Sequence, residues 1–179
     1  MSDRDKFAPL RKSQRVWAVA AIHGEAGRLG RLHAELDHRF TAGDRLVYLG
    51  GYLGHGSDVR GTLDELLAFR RRLLARPGMF TFDIAYLRGS QEEMWQKLLQ
   101  LQFAPNPREV FSWMLEHGVG ATLTAYGGDV QQGFVSARAG PLAITRWTSR
   151  LRTAMQEAPG HYALMSALRR AAYTDDGAL

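Results

Sequence analysis

Residues 43–74, GDRLVYLGGYLGHGSDVRGTLDELLAFRRRLL, give the clearest indication of the fold. Residues 46–49 (LVYL) are an unbroken apolar run, which is typical of a short buried strand. The glycine-rich residues 50–58 that follow predict a loop. Leucines then recur at helical spacing up to Pro77-Gly78, so a helix is expected to end before that pair. The stretch therefore predicts a strand, a glycine loop and a helix in that order.

The same order of elements is found on both sides of this stretch. Upstream, residues 15–22 (RVWAVAAI) predict a buried strand, and a helix is expected over residues 27–39. Both His33 and His38 are expected on the polar face of that helix. Downstream, residues 79–87 contain a third predicted strand. Strands that alternate with helices indicate an α/β fold, in which helices cover a sheet.

The second half of the chain is predicted to be helical. A helix is expected over residues 92–103, and Asn106-Pro107 is a good start for the next one, because Asn caps helices and Pro fits their first position. Gly118 is expected to end that helix. Two more amphipathic helices are predicted near residues 148–158 and 161–173.

The composition indicates one globular domain. The chain has 179 residues, of which 45% are hydrophobic and 23% charged, so it can bury a core and is too apolar for a disordered protein. It has no cysteine, which excludes disulfides, thiolate zinc sites and thiol catalysis. The longest apolar run, residues 16–22, is too short to span a bilayer. We expect a flexible arm at residues 1–14, without a secretory signal, and a single cytoplasmic domain at residues 15–179 with no membrane partner.

The chain is basic, with 23 Lys and Arg residues against 18 Asp and Glu residues, and 20 of the basic residues are arginine. Clusters such as residues 70–72 and 169–170 could attract nucleic acid. They lie in helix-like segments beside leucines, however, and aromatic residues are not interleaved with them. A solvated helix face is the better interpretation, so nucleic acid is not an expected partner.

Three loops follow the three predicted strands: AAIHG (20–24), LGGYLGHGSD (49–58) and LRGSQEE (87–93). In order and spacing they resemble the signature loops of the calcineurin-like metallophosphoesterases. The likeness is greatest to the bacterial serine/threonine protein phosphatases and the symmetrical diadenosine tetraphosphatases, which carry G-D-x-H-G, G-D-x-x-D-R-G and R-G-N-H-E there. The resemblance covers the chain from Arg15 to Leu179.

This resemblance implies a metallophosphoesterase-like sandwich: a mixed sheet flanked by helices, with a helical insertion at about residues 92–120. It also implies that the chain ends before most of the second sheet. The exposed edge and apolar face would then be covered by oligomerisation, or the chain would be a fragment. A homo-oligomer or another protein partner is therefore expected.

Most residues that carry the chemistry of the family are replaced in this chain. Five metal-binding or catalytic positions now hold residues without the required group: Ala21, Gly51, Gly54, Ser90 and Gln91. His23 remains as a relic metal-ligand position. His55 stands where the family has an arginine that holds the substrate phosphate, while Arg88 and Glu92 are kept.

These replacements remove the means of catalysis. Glycine supplies no ligand to a two-metal centre, and glutamine does not deliver a proton as imidazolium does. The two divalent metals of the family, such as Mn or Fe/Zn, are therefore not expected, nor is any other cofactor. The resemblance then implies an inactive pseudophosphatase that acts as a binding, regulatory or scaffold module. The alternative is a metal-dependent phosphoesterase with atypical ligands.

The residues His55 and Arg88 are the candidates for an anion site. Backbone amides of a glycine loop at a helix N-terminus could assist them. The competing interpretation pairs Arg88 with Glu92, Glu93 or Asp58. Weak binding of phosphate or a nucleotide is the most that these residues predict.

Overall fold

The computed structural model describes residues 6–174 and has an α/β fold, as predicted. Its strands are β1 (Phe7–Pro9), β2 (Val16–Val19), β3 (Arg45–Tyr48), β4 (Ile84–Tyr86) and β5 (Ala171–Tyr173). Its helices are α1 (Ala26–Arg39), α2 (Val59–Leu74), α3 (Ser90–Leu98), α4 (Pro107–Glu116), α5 (Val119–Ala125), α6 (Val130–Ala139), α7 (Pro141–Glu157) and α8 (His161–Ser166). Within the described residues, no helix has the length and apolar character needed to cross a bilayer.

The strands form two small parallel sheets. β2, β3 and β4 are neighbours in that order, with Trp17 opposite Leu46 and Leu46 opposite Ile84. β1 and β5 form a separate parallel pair, in which Ala8 lies opposite Ala172. The prediction of a mixed sheet is thus wrong for residues 6–174. Helical crossovers return the chain to the same end of the sheet before each new strand, which makes neighbouring strands parallel.

Both faces of β3 are buried, because two different layers cover the three-stranded sheet. Leu46 and Tyr48 point into the main core, to which α1 and α2 contribute their apolar faces. Val47 points to the opposite face and belongs to a smaller cluster with Leu10 and Ala172. The β1–β5 pair and the residues beside it are therefore a second layer over this sheet.

Of the expected flexible arm at residues 1–14, residues 1–5 lie outside the described range, and residues 7–12 contact the rest of the chain. Leu10 is fully buried, and its N–H donates to the carbonyl of Tyr173 over 2.8 Å. The Arg45 guanidinium donates to the carbonyls of Leu10 and Lys12. These partners lie at distant positions of the chain, so the local sequence predicts a flexible arm without showing the contacts.

The helical half of the chain is longer than predicted. Helices follow one another from Ser90 to Ser166; the expected insertion at residues 92–120 covers the first part of this run, and the sequence does not predict α5 and α6. Asn106 caps α4 as expected. The last predicted helix, residues 161–173, ends at Ser166, and the chain continues into β5. Pairing with β1 overrides the local helical pattern there.

His33 is buried, which corrects its predicted place on a polar helix face. Its ring stacks on Phe69 with 4.0 Å between centroids, its Nδ1 lies 2.6 Å from Glu65 Oε1, and its Nε2 lies 2.8 Å from the Tyr48 hydroxyl. These contacts join α1 to α2 and to β3. Burial penalises the imidazolium form and lowers the pKa of His33 below 6.5, although Glu65 acts in the opposite direction.

We expect the free energy of unfolding to fall as the pH drops below 6.5, the ordinary pKa of histidine. The unfolded chain takes up a proton at His33 in this range, whereas the folded chain takes it up only at lower pH, so acid favours unfolding. The slope that one such proton adds is at most about 1.4 kcal/mol per pH unit.

Chemical denaturation at several pH values should show a smaller slope for His33→Gln. His38→Gln, at an exposed position of the same helix, is the control and should keep the slope of the parent. Equal slopes for both variants would contradict the assignment.

Candidate functional site

The three loops predicted to carry the site meet at the carboxyl ends of β2, β3 and β4. The N–H groups of Ile22 and His23 donate to the carbonyl of Gly51 over 2.9 and 2.7 Å. The N–H of Gly24 donates to the backbone carbonyl of Tyr52 over 3.0 Å. The first loop therefore lies directly on the second. The third loop joins them through Gly89, which approaches the backbone of the second loop closely.

One buried carboxylate holds the second and third loops together. Glu92, at the start of α3, is fully buried. Its Oε2 accepts the N–H groups of Gly51 and Gly89, both over 2.8 Å. Its Oε1 accepts those of Tyr52 and Leu53 over 2.8 and 3.1 Å. Four amides thus converge on a single side chain, which fixes the path of the loop after β3.

The remaining amides of this loop are also used inside the protein. Gly54 N–H donates to Thr122 Oγ1 over 2.9 Å, His55 N–H to the carbonyl of Gly118 over 3.2 Å, and Gly56 N–H to that of His23 over 2.6 Å. An anion at this loop would therefore find the amides of residues 51–56 already engaged. The expected contribution of loop amides to phosphate binding is not available in this conformation.

The His55 side chain sits against the helical half of the molecule. A Cβ built on Gly118 would lie 2.3 Å from the nearest atom of the His55 ring, so only glycine fits at position 118. Its Nε2 is 3.2 Å from Gln91 Nε2, and the Gln91 amide donates to the carbonyl of His117 over 2.8 Å. The His55 ring also meets that of His23 edge-on, with 5.1 Å between centroids.

The predicted anion ligand Arg88 pairs with a carboxylate. Its Nη1 lies 3.2 Å from Glu93 Oε1, and 19% of its side chain is exposed. The other two carboxylates predicted as partners of Arg88 bind elsewhere. Glu92 accepts loop amides, and Asp58 caps α2 by accepting from Gly61 N–H over 2.8 Å. Within residues 6–174 no hydrogen bond joins Arg88 to His55. Arg88 Nε is buried without a hydrogen-bond partner among the described residues.

The loop backbone is shaped around the glycines at two of the replaced positions. Gly51 has φ +69°, and a Cβ built there would lie 2.8 Å from the Cβ of Ala21. Gly54 has φ +79°, and its Cβ would lie 2.3 Å from Gln91 Oε1. An L-residue is strained at such φ values, and here it would also collide. Neither position has room for a carboxylate.

The residues at the ends of the strands do not fit a two-metal centre. Among residues 6–174, no three His, Asp or Glu side chains come together as a metal ion would require. His23 has φ 52°, and its Nδ1 lies 3.4 Å from the carbonyl of Leu53. Ala21 and Ser90 are exposed and supply no metal-binding side chain of the usual kind. We derive no catalytic step from this arrangement.

Sequence reasoning did not find the residues that support the site from the helical half. Thr122 and Gly118 come from α5 and from the turn before it, and both contact the second loop. No local pattern distinguishes Thr122 from any other helical threonine. Glu92 was noted as a kept residue, but its four amide contacts depend on the folded loops.

We expect Glu92→Gln to lower the free energy of unfolding by about 3 kcal/mol or more, because hydrogen bonds to a buried charge are lost and an amide NH₂ would face two N–H donors. The matched control is Glu93→Gln at the next position, where the side chain is 48% exposed and forms a single ion pair. Such an exposed pair contributes at most about 1 kcal/mol. Similar losses for the two variants in urea denaturation would contradict this role of Glu92.

We expect Gly51→Asp to lower the free energy of unfolding by about 2–5 kcal/mol, from the positive φ and the contact with Ala21. Ala21→Asp places the same carboxylate at an exposed neighbouring position and should change stability by about 0.5 kcal/mol or less. Melting in the presence of a chelator measures both. A melting temperature of Gly51→Asp equal to or above that of the parent would show that the loop accepts the carboxylate.

The sequence matches no protein-family model, and no curated protein matches it.

Proposed function

We propose that this chain is a calcineurin-like metallophosphoesterase that has lost its metal centre and works as a pseudophosphatase, a binding, regulatory or scaffold module. The observation that carries the proposal is Gly51. The resemblance assigns to this position the carboxylate that bridges two metals. Here it is a glycine at φ +69° whose Cβ would meet Ala21, on a loop that Glu92 holds in place.

Two features support the family assignment in this proposal. The three loops occur in the expected order and lie together at the carboxyl ends of three successive parallel strands. The β1–β5 pair packs on the second face of the sheet through Leu10 and Ala172. A second sheet layer on that face agrees with the sandwich that the resemblance implies.

The outer edge of β2 supports a protein partner or a second copy of the chain. β2 pairs only with β3 among the described strands, so the N–H and C=O groups on its outer side have no strand to bind. Ala18 is exposed there, and Leu32, which lines a cleft with Ala18 and Val19, is 41% exposed. An uncovered apolar edge of this kind favours pairing with another chain.

An anion contact, if it forms part of this function, is weak. Arg88 has one buried nitrogen without a partner, but its guanidinium already faces Glu93. The loop amides are engaged, as described above. A phosphate group would therefore compete with a carboxylate and gain little from the backbone.

The test of the proposed function combines metal analysis with an assay of turnover. We expect the purified chain to contain no stoichiometric Mn, Fe or Zn, and to leave a generic aryl phosphate unhydrolysed when Mn²⁺ is added. An intact two-metal phosphoesterase assayed in parallel shows that the conditions support hydrolysis. Metal-dependent turnover that purifies with the chain would contradict the proposal and favour the phosphoesterase with atypical ligands. In that case His23→Ala, at the remaining ligand position, should reduce the turnover.

A further inference from the structure

A cavity of about 560 Å³ lies beside the outer edge of β4, and no residue of the three loops lines it. Its walls come from β1, β4, the second half of α2, and α8 with the residues that follow it. The volume is within the range of small-molecule sites, which is about 300–1,000 Å³. This cavity is thus a candidate site that the proposed function does not use.

The cavity exists because the chain just before β5 bridges the end of β4 at one residue and then turns away to β1. Arg169 bridges β4 at its carboxyl end, donating its N–H to Tyr86 and accepting from Arg88 N–H, both over 2.8 Å. The N–H of the next residue, Arg170, donates to the carbonyl of Lys6, and β5 begins one residue later, beside β1. Just after β4, the N–H of Leu87 donates to the carbonyl of Tyr48 in β3. The direction of the backbone groups alternates along a strand, so the N–H and C=O of Ile84 point away from β3 and into the gap.

The lining combines an apolar wall with positive charge. Most of the wall is aliphatic or aromatic: Phe7, Leu67, Phe82, Ile84, Tyr86 and Leu164. The charged lining residues are Arg70 and Arg169, and no Asp or Glu is among the described residues that line the cavity. A lining with this composition favours a ligand that is apolar over most of its surface and negative at one end.

Arg70 is the lining residue that indicates a negatively charged ligand. It is partly buried, and its side chain makes no hydrogen bond or ion pair with any residue between 6 and 174. Two other arginines of the same region have carboxylate partners: Arg72 contacts Glu65 at 3.2 Å, and Arg76 contacts Asp37 at 2.8 Å. A guanidinium that has lost part of its hydration binds an anion more strongly than an exposed one does.

We propose that this cavity binds a small amphipathic anion, with a carboxylate or phosphate head at Arg70 and an apolar body along Leu67, Ile84 and Leu164. The head alone would lack the apolar contact that the wall offers. The body alone would leave Arg70 without its anion. Both parts together account for the composition of the cavity, and the inference is independent of the pseudophosphatase proposal.

Calorimetric titration of the full chain with four probes tests this site. Octanoate and octyl phosphate carry both head and body, octanamide has the body without charge, and inorganic phosphate has the charge without the body. We expect one molecule of either octyl anion to bind per chain, and the other two probes to bind at least about tenfold more weakly. The affinity ratio of octanoate to octyl phosphate then identifies the preferred head.

Variants locate the binding. Arg70→Met keeps the apolar stem and removes the charge, so it should weaken octanoate binding about tenfold or more. Arg71→Met, an exposed neighbour on the same helix that does not line the cavity, should stay within about twofold of the parent. Ala163→Phe fills the cavity from an exposed position of α8 and should abolish binding, so the site remains testable even where Arg70→Met is poorly folded.

Three results would overturn the proposal. Equal binding of octanamide and octanoate would mean an apolar cleft without anion recognition. Equal effects of Arg70→Met and Arg71→Met, or no effect of Ala163→Phe, would place the ligand elsewhere. Failure of all octyl probes to bind would leave no small-anion site here. None of these outcomes depends on metal content or on phosphatase turnover.

Discussion

The carboxylate of Glu92 is the interaction on which the candidate site depends. Four backbone amides from the loops after β3 and β4 bind its two oxygens, and no solvent reaches it. A charge buried in this way is stable only because each oxygen is satisfied. The same contacts take up the amides that an anion would otherwise use. Glu92 thus accounts for the path of the loops and leaves none of these four amides free for an anion.

The glycines of the second loop follow from this arrangement. With the backbone drawn toward Glu92, Gly51 and Gly54 adopt positive φ values, and small neighbours such as Ala21 fill the space where side chains would otherwise lie. The loop is therefore packed as a structural element, with its interior closed by its own residues. The binding functions that we propose therefore lie on other surfaces, the edge of β2 and the cavity beside β4, where the sheet lacks a neighbouring strand.

Several parts of the fold were predictable because their signals are local. The run LVYL is apolar at every position, and β3 is buried on both faces. Asn106 and Pro107 begin α4 because a cap and a fixed φ act on adjacent residues. The sequence does not predict the strands near residues 7–10 and 171–173, because their signals are not local. Each is short and unremarkable alone, and each is a strand only because the other lies beside it.

The alternation of strands and helices, the position of the three loops and the lack of metal-binding side chains at Ala21 and Gly51 can all be read from the sequence. These are properties of residue type and spacing, which act over a few positions. Folding is needed to bring four amides to Glu92, to place His55 against Gly118, to bury His33 and to bring Arg70 to the cavity. Each of these depends on contacts between distant parts of the chain, which no local pattern encodes.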